Sequence, residues 1–173
     1  MTGPSAEPAT RTIELDLAEL DDTLALGAAL GRALRAGDVL ILTGSLGAGK
    51  TTLTKGIATG LGVTGTVLSP TFVLARVHRP GPGAAPTAVP LVHVDAYRLG
   101  GALELDDLDL DTDLARSAVV VEWGEGVADQ LADDRLVIAL ERRPDDTRRA
   151  TLTGLGTWAQ RLPDVVEGAR ARG

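Results

Sequence analysis

Apolar and polar residues alternate over Thr12–Leu17, the period-two pattern of a short, half-exposed strand. The period then changes. Leu17, Leu20, Leu24, Gly27, Gly31 and Leu34 recur three and four residues apart, which predicts a helix stopped by Gly37. Its two glycines, one turn apart, predict close backbone packing against a sheet, at a cost of about 1 kcal/mol each in helix propensity. Asp38–Thr43 contains the unbroken run Val39-Leu40-Ile41-Leu42 and reads as a buried strand. The glycine-rich segment Gly44–Gly49 opens a second helix that runs to about Leu61, where Gly60 and Gly62 suit its exit.

Further on, Ser69-Pro70-Thr71 is a loop and Phe72–Arg79 a strand. Residues 80–90 hold four of the nine prolines with Gly81 and Gly83, a loop too short to separate two domains. Leu91–Val94 is an apolar run ending at Asp95, and Ala118–Val121 another ending at Glu122. Between them the acidic stretch Glu104–Asp113, with leucines interspersed, predicts short helical turns. Arg135–Arg143 and Arg148–Gly154 predict a late β-hairpin turning at Pro144-Asp145-Asp146. From about residue 156 the chain is a helical tail with Trp158, Leu162, Val165 and Val166 on its apolar face and a break at Pro163. Strands separated by helices predict the α/β class: one domain over residues 12–173, with a largely parallel central sheet flanked by helices, a late β-hairpin, and a flexible N-terminal tail over residues 1–11. There is no internal repeat.

Composition narrows the chemistry. Cysteine is absent, which excludes disulfides, thiolate nucleophiles and Cys-ligated metals, and two histidines do not make a His-rich metal centre. The net charge of −7 is opposite to what a free-standing nucleic-acid binder needs to displace counterions from phosphate. No apolar run approaches the roughly 20 residues of a membrane span, and the N-terminus has no apolar signal region, so the expected residence is cytoplasmic. Of the 17 basic residues only Lys50 and Lys55 are lysines.

One of those lysines lies in a specific pattern. Gly44-Ser45-Leu46-Gly47-Ala48-Gly49-Lys50-Thr51 fits G-x-x-x-x-G-K-[ST], with an apolar strand leading in and a helix leading out. Glycines let successive backbone N–H groups point at phosphate oxygens, and the helix directs its positive end at the same anion. Lys50 reaches the β- and γ-phosphates and the Thr51 hydroxyl ligates Mg²⁺, with Thr52 completing the nucleotide-binding segment. The domain therefore reads as P-loop NTPase-like. Neither lysine has the Asp two residues later that the guanine-reading pattern [NT]-K-x-D requires, and the chain has no asparagine, so the nucleotide reads as ATP.

P-loop enzymes also need a carboxylate near Mg²⁺ and another group to orient the attacking water. Open α/β sheets place such groups at the carboxyl ends of strands, where Asp95 and Glu122 both fall. Both are candidates for catalysis and for the metal shell, and the division of roles between them stays open. His78 and His93 are not required by this chemistry and read as structural. Thr71 lies in the loop position where nucleotide-sensing switches occur. Arg142, Arg143, Arg148 and Arg149, interleaved with Asp145 and Asp146, read as a solvated hairpin.

Together, GSLGAGKTT (44–52), SPTF (69–72), HVDAYRL (93–99) and VEWGE (121–125) resemble the bacterial TsaE (YjeE) family of small P-loop ATPases, in the same motif order over roughly residues 12–155. The resemblance implies a subunit that binds a TsaB–TsaD type pair and uses ATP to support threonylcarbamoyladenosine formation on tRNA, touching tRNA only through the complex. It implies weak ATPase activity alone and stimulation in the complex. It places Lys50 and Thr51 in the phosphate loop, Thr71 in the switch-like loop, Asp95, Tyr97 and Arg98 in the H-x-D-x-Y-R motif, and Glu122 and Trp123 in the V-E-W motif. The family commonly has Asp where this chain has Ser45, which keeps a small polar side chain and lacks the charge. Two alternatives remain open: a small-molecule kinase with Arg76, Arg79 and Arg98 as lid arginines, and a nucleotide-switched adaptor without catalysis.

Overall fold

The computed structural model describes residues 9–45, 47–63, 75–95, 114–122 and 134–170. Seven strands form one sheet: β1 (Thr10–Leu17), β2 (Val39–Thr43), β3 (Ala75–His78), β4 (Leu91–Asp95), β5 (Ala118–Glu122), β6 (Arg135–Arg142) and β7 (Arg148–Leu155). Among the described residues three α-helices accompany them, α1 (Leu20–Ala33), α2 (Lys50–Leu61) and α3 (Thr157–Arg170), with a short 3₁₀ turn at Leu114–Arg116. The sheet order is β1-β7-β6-β2-β5-β4-β3. The central strands β6, β2, β5 and β4 run parallel, and β1 shares their direction, so five of the seven point one way while β7 and β3 oppose them. The α/β class with a largely parallel sheet and a late hairpin is the architecture found. Among the described residues no helix is long and apolar enough to cross a membrane.

β2 and β5 are buried along nearly their whole length, as their continuous apolar sequences require, whereas β6 alternates buried and more exposed positions. Leu40, Leu42, Leu91, Val120, Leu136, Ile138 and Leu152 from the sheet form one core with Leu26 and Leu30 of α1, Leu53 and Ile57 of α2, and Trp158 and Leu162 of α3. The face of α1 that enters this core differs from the expected stripe. Leu26 and Leu30, outside that stripe, are fully buried, Leu34 within it is buried as expected, and Leu20 is 65% exposed.

The glycines of α1 also have a different partner. They pack against α2 rather than against the sheet, because α2 carries a matching pair, Gly56 and Gly60. A Cβ added at Gly31 would stand 2.2 Å from the Ile57 carbonyl oxygen and 2.9 Å from Gly60 Cα; one at Gly27 would stand 2.5 Å from the Leu53 carbonyl oxygen. The two backbones therefore touch with no side chain between them.

α3 runs through Pro163 without the expected break. A proline inside a helix costs about 3 kcal/mol. Burial of Trp158, Leu162, Val165 and Val166 outweighs it, at about 1.5–3 kcal/mol per large apolar side chain. Arg161 adds a clamp: its guanidinium donates to both carboxylate oxygens of Asp38 at 2.9 Å and lies 3.8 Å from the centre of the Trp158 ring. The hairpin turn forms where expected. Asp146 N–H donates to the Arg143 carbonyl at 3.0 Å, and Asp145 Oδ1 accepts from the Thr147 hydroxyl at 2.6 Å. The Ser69–Thr71 loop and the acidic stretch Glu104–Asp113 lie outside the described residues.

Candidate functional site

The carboxyl ends of three adjacent strands assemble the site. β2 leads from Thr43 into Gly44, the first residue of the phosphate loop. Leu42 pairs in register with Glu122 on β5, and Glu122 pairs with Asp95 on β4. The sheet register thus brings the loop, Glu122 and the backbone of Asp95 to one edge. These are the groups that the sequence nominates from three distant segments.

The loop has the backbone its glycines allow. Gly44 adopts φ 143°, and a Cβ there would stand 2.5 Å from the Leu140 carbonyl oxygen of β6, so no larger residue fits. Ala48 N–H donates to the Ser45 carbonyl at 3.1 Å and closes the turn. Gly49 caps α2, whose first turn carries neither an acidic residue nor a side-chain cap. Its leading backbone N–H groups face the loop with the positive end of the helix dipole behind them. Lys50 is buried, and its Nζ donates to the carbonyls of Gly44 at 2.7 Å and Ser45 at 3.0 Å. The ammonium is thereby held over the loop. Thr51 and Thr52 follow in the first turn of α2, both half-buried.

Glu122 is almost fully buried, and its Oε1 has no hydrogen-bond partner in the described structure. Nε2 of His93 stands 3.1 Å from it without making a hydrogen bond. His93, read from sequence as structural, therefore touches the acid. His78 does not share this contact; burial first, then the nearby His93 and Arg76, lower its pKa from the usual imidazole value.

The late hairpin is less detached than its charges imply. Arg142 pairs with Asp146, and Arg143 and Arg149 both reach Asp16 on β1, as a solvated surface would. Arg148, besides its contacts with Asp146 in the turn, reaches the phosphate loop, donating to the Gly47 carbonyl at 3.2 Å. This contact follows from β6 lying beside β2, a strand order that no local sequence signal reveals. Between hairpin, loop and α1 lies a cleft of about 290 Å³, lined by Glu19, Leu20, Thr23, Gly49, Thr52 and Arg148 among others. A larger hollow of about 600 Å³, near Leu34 and Arg161, is at the opposite end of β2 from the loop chemistry.

Arg76 lies on β3 opposite His93 in register, and Arg79 follows that strand; neither lines the cleft beside the loop. Leu46, Thr71, Tyr97, Arg98 and Trp123 lie outside the described residues, as does the side chain of Asp95.

A family model described as threonylcarbamoyl adenosine biosynthesis protein TsaE matches residues 17–150, which span the loop, both strand-end acids and the turn of the hairpin. The chain belongs to the TsaE family. A Streptomyces coelicolor protein named tRNA threonylcarbamoyladenosine biosynthesis protein TsaE is 55% identical over 149 residues, covering 83% of this chain and 98% of the relative. The Bacillus subtilis protein of the same name is 41% identical over 143 residues, covering 82% and 85%. The crystal structure of Bacillus subtilis YdiB superposes with a TM-score of 0.70 at 31% identity, over 95% of this chain and 97% of that one. The family that the four motifs resemble is the family found.

Proposed function

We propose that this TsaE-family chain binds ATP with Mg²⁺ and hydrolyses it as a subunit of the machinery that forms threonylcarbamoyladenosine on tRNA, acting with a TsaB–TsaD type pair. The names of its relatives support the pathway. The observation that carries the chemistry is the register of β2, β5 and β4, which joins the phosphate loop to Glu122 and Asp95.

In this reading the Gly44–Thr52 segment holds the triphosphate. Lys50 exchanges its carbonyl partners for the β- and γ-phosphates, and the amides at the start of α2 supply further donors. The nucleoside enters the adjoining cleft, where exposed Leu20 offers an apolar surface to the base. The donor set fits Mg²⁺: a hydroxyl at Thr51 and a buried carboxylate at Glu122, alongside substrate phosphates. Bound there, Mg²⁺ would neutralise charge developing on the phosphates. Glu122 and Asp95 orient the attacking water and support the metal's shell. Thr71 joins from the switch-like loop. Catalysis of this kind is largely positioning and charge stabilisation, which a docked partner can complete. With a net charge of −7, the chain serves tRNA through its partners rather than by holding it.

The test is co-purification of the chain with a TsaB–TsaD type pair in the presence and absence of ATP, followed by an ATPase assay on the captured complex. ATP-dependent capture and faster hydrolysis in the complex are expected. Capture without any hydrolysis would replace the ATPase by a nucleotide-switched adaptor, and phosphate appearing on a metabolite would replace it by a kinase.

A further inference from the structure

Resting on the reading of Glu122 as an acid of the ATPase site, we propose that His93 is a positioning residue that holds the Glu122 carboxylate at the carboxyl edge of the sheet. β4 reads Leu-Val-His-Val-Asp, and its first four residues are buried. A strand in that setting is most stable with apolar residues throughout, since an imidazole nitrogen left without a partner costs about 1–3 kcal/mol. Both nitrogens of His93 lack a hydrogen bond among the described residues, and the side chain is fully buried. Ordinary packing therefore does not account for a histidine here.

Its neighbour does. His93 pairs in register with Val120, one step below the Asp95–Glu122 pair on the same two strands. From there Nε2 comes within 3.1 Å of Glu122 Oε1, with the two side chains 0% and 4% exposed. The two atoms are thus within contact distance, and each lacks a hydrogen bond among the described residues, so alignment of an Nε2–H with Oε1 would satisfy both. Hydrogen bonds in catalytic sites commonly tighten in this way when substrate binds. Holding one carboxylate oxygen against the imidazole restricts the torsions of Glu122 and keeps the group beside Leu42 and the phosphate loop. Displacing a reacting group by about 1 Å can cost on the order of 100-fold in rate.

The test compares His93→Leu, which fills the volume without a donor, with His93→Gln, whose amide nitrogen reaches the place of Nε2. Thermal unfolding checks that each folds, and His93→Met replaces His93→Leu if the latter does not. In the TsaB–TsaD type complex, His93→Leu is expected to lower kcat by about 10- to 100-fold while KM for ATP stays within about twofold, and His93→Gln is expected to recover most of the rate. Crystal structures should show the Glu122 carboxylate displaced in His93→Leu and retained in His93→Gln. Wild-type kcat in His93→Leu with Glu122 in place would overturn the proposal, as would equal loss in two folded variants. If wild type hydrolyses no ATP under any condition, the ATPase reading fails, and the position of Glu122 in the two crystal structures alone decides the role of His93.

Discussion

Leu42 on β2 and Glu122 on β5 are register partners in adjacent parallel strands. Leu42 stands two residues before Gly44, so the strand that delivers the phosphate loop and the strand that delivers the acid share one hydrogen-bonded ladder. The separation of loop and acid is set by the sheet rather than by flexible connections, which is the placement a site that works by positioning requires.

Lys50→Ala removes the one ammonium held over the loop by the Gly44 and Ser45 carbonyls. ATP affinity should fall by at least about tenfold, corresponding to about 1.4 kcal/mol, since charge-assisted hydrogen bonds to phosphate are lost. Calorimetric titration with ATP·Mg²⁺ checks this. Wild-type affinity in the variant would remove Lys50 from the phosphate site.

Glu122→Gln keeps the size of the side chain and the packing beside His93 while removing the charge. Nucleotide should still bind, and hydrolysis in the complex should fall by about 100-fold or more, the range typical of a lost acid–base or water-orienting group. Single-turnover hydrolysis with matched binding curves separates the two effects. Loss of binding with an unchanged turnover rate would assign Glu122 to affinity alone.

Gly31→Ala tests the contact between α1 and α2. Alanine improves helix propensity by about 1 kcal/mol, but its Cβ would stand 2.2 Å from the Ile57 carbonyl oxygen, and overpacking of this kind costs about 1–3 kcal/mol or more. Net destabilisation of about 1–2 kcal/mol is expected from urea unfolding, with weakened ATP binding because α2 carries Lys50 and Thr51 at its start. A stabilised variant would show that the helices separate without cost.

How much of this was legible in the sequence depends on how local each feature is. The phosphate loop could be read directly, because strand, glycines, lysine and helix are contiguous. Asp95 and Glu122 could be read as strand ends. That they are register partners could not, because pairing depends on strand order. The contacts of His93 with Glu122 and of Arg148 with Gly47 escaped for the same reason: each joins segments whose adjacency is decided by the whole sheet. The glycines of α1 announced a close approach, but their spacing is the same whether the surface opposite is a sheet or another helix. Local propensity alone places a break at Pro163, and the burial of the four apolar residues around it overrides that penalty.

Asp16 ties β1 to the hairpin that reaches the loop. A hydrogen bond from Arg149, with the charge of Arg143 next, holds its carboxyl below the ordinary value of 3.8. A depressed carboxyl contributes stability above its unfolded value and loses it as pH falls through the native one. The stability gap between wild type and Asp16→Asn should therefore be present at neutral pH and close as pH drops below 3.8. Urea midpoints of both proteins at about pH 7 and about pH 3 measure it; a gap that widens in acid would reverse the assignment.

The most direct test of the central claim is threonylcarbamoyladenosine formation on tRNA in a reconstituted mixture containing the TsaB–TsaD type pair, ATP·Mg²⁺ and this chain as wild type, Lys50→Ala or Glu122→Gln. Modified nucleoside is quantified after digestion of the tRNA. Sustained modification with wild type, and its loss with both variants, is the predicted result. Equal modification with all three, or with the chain left out, would contradict the account.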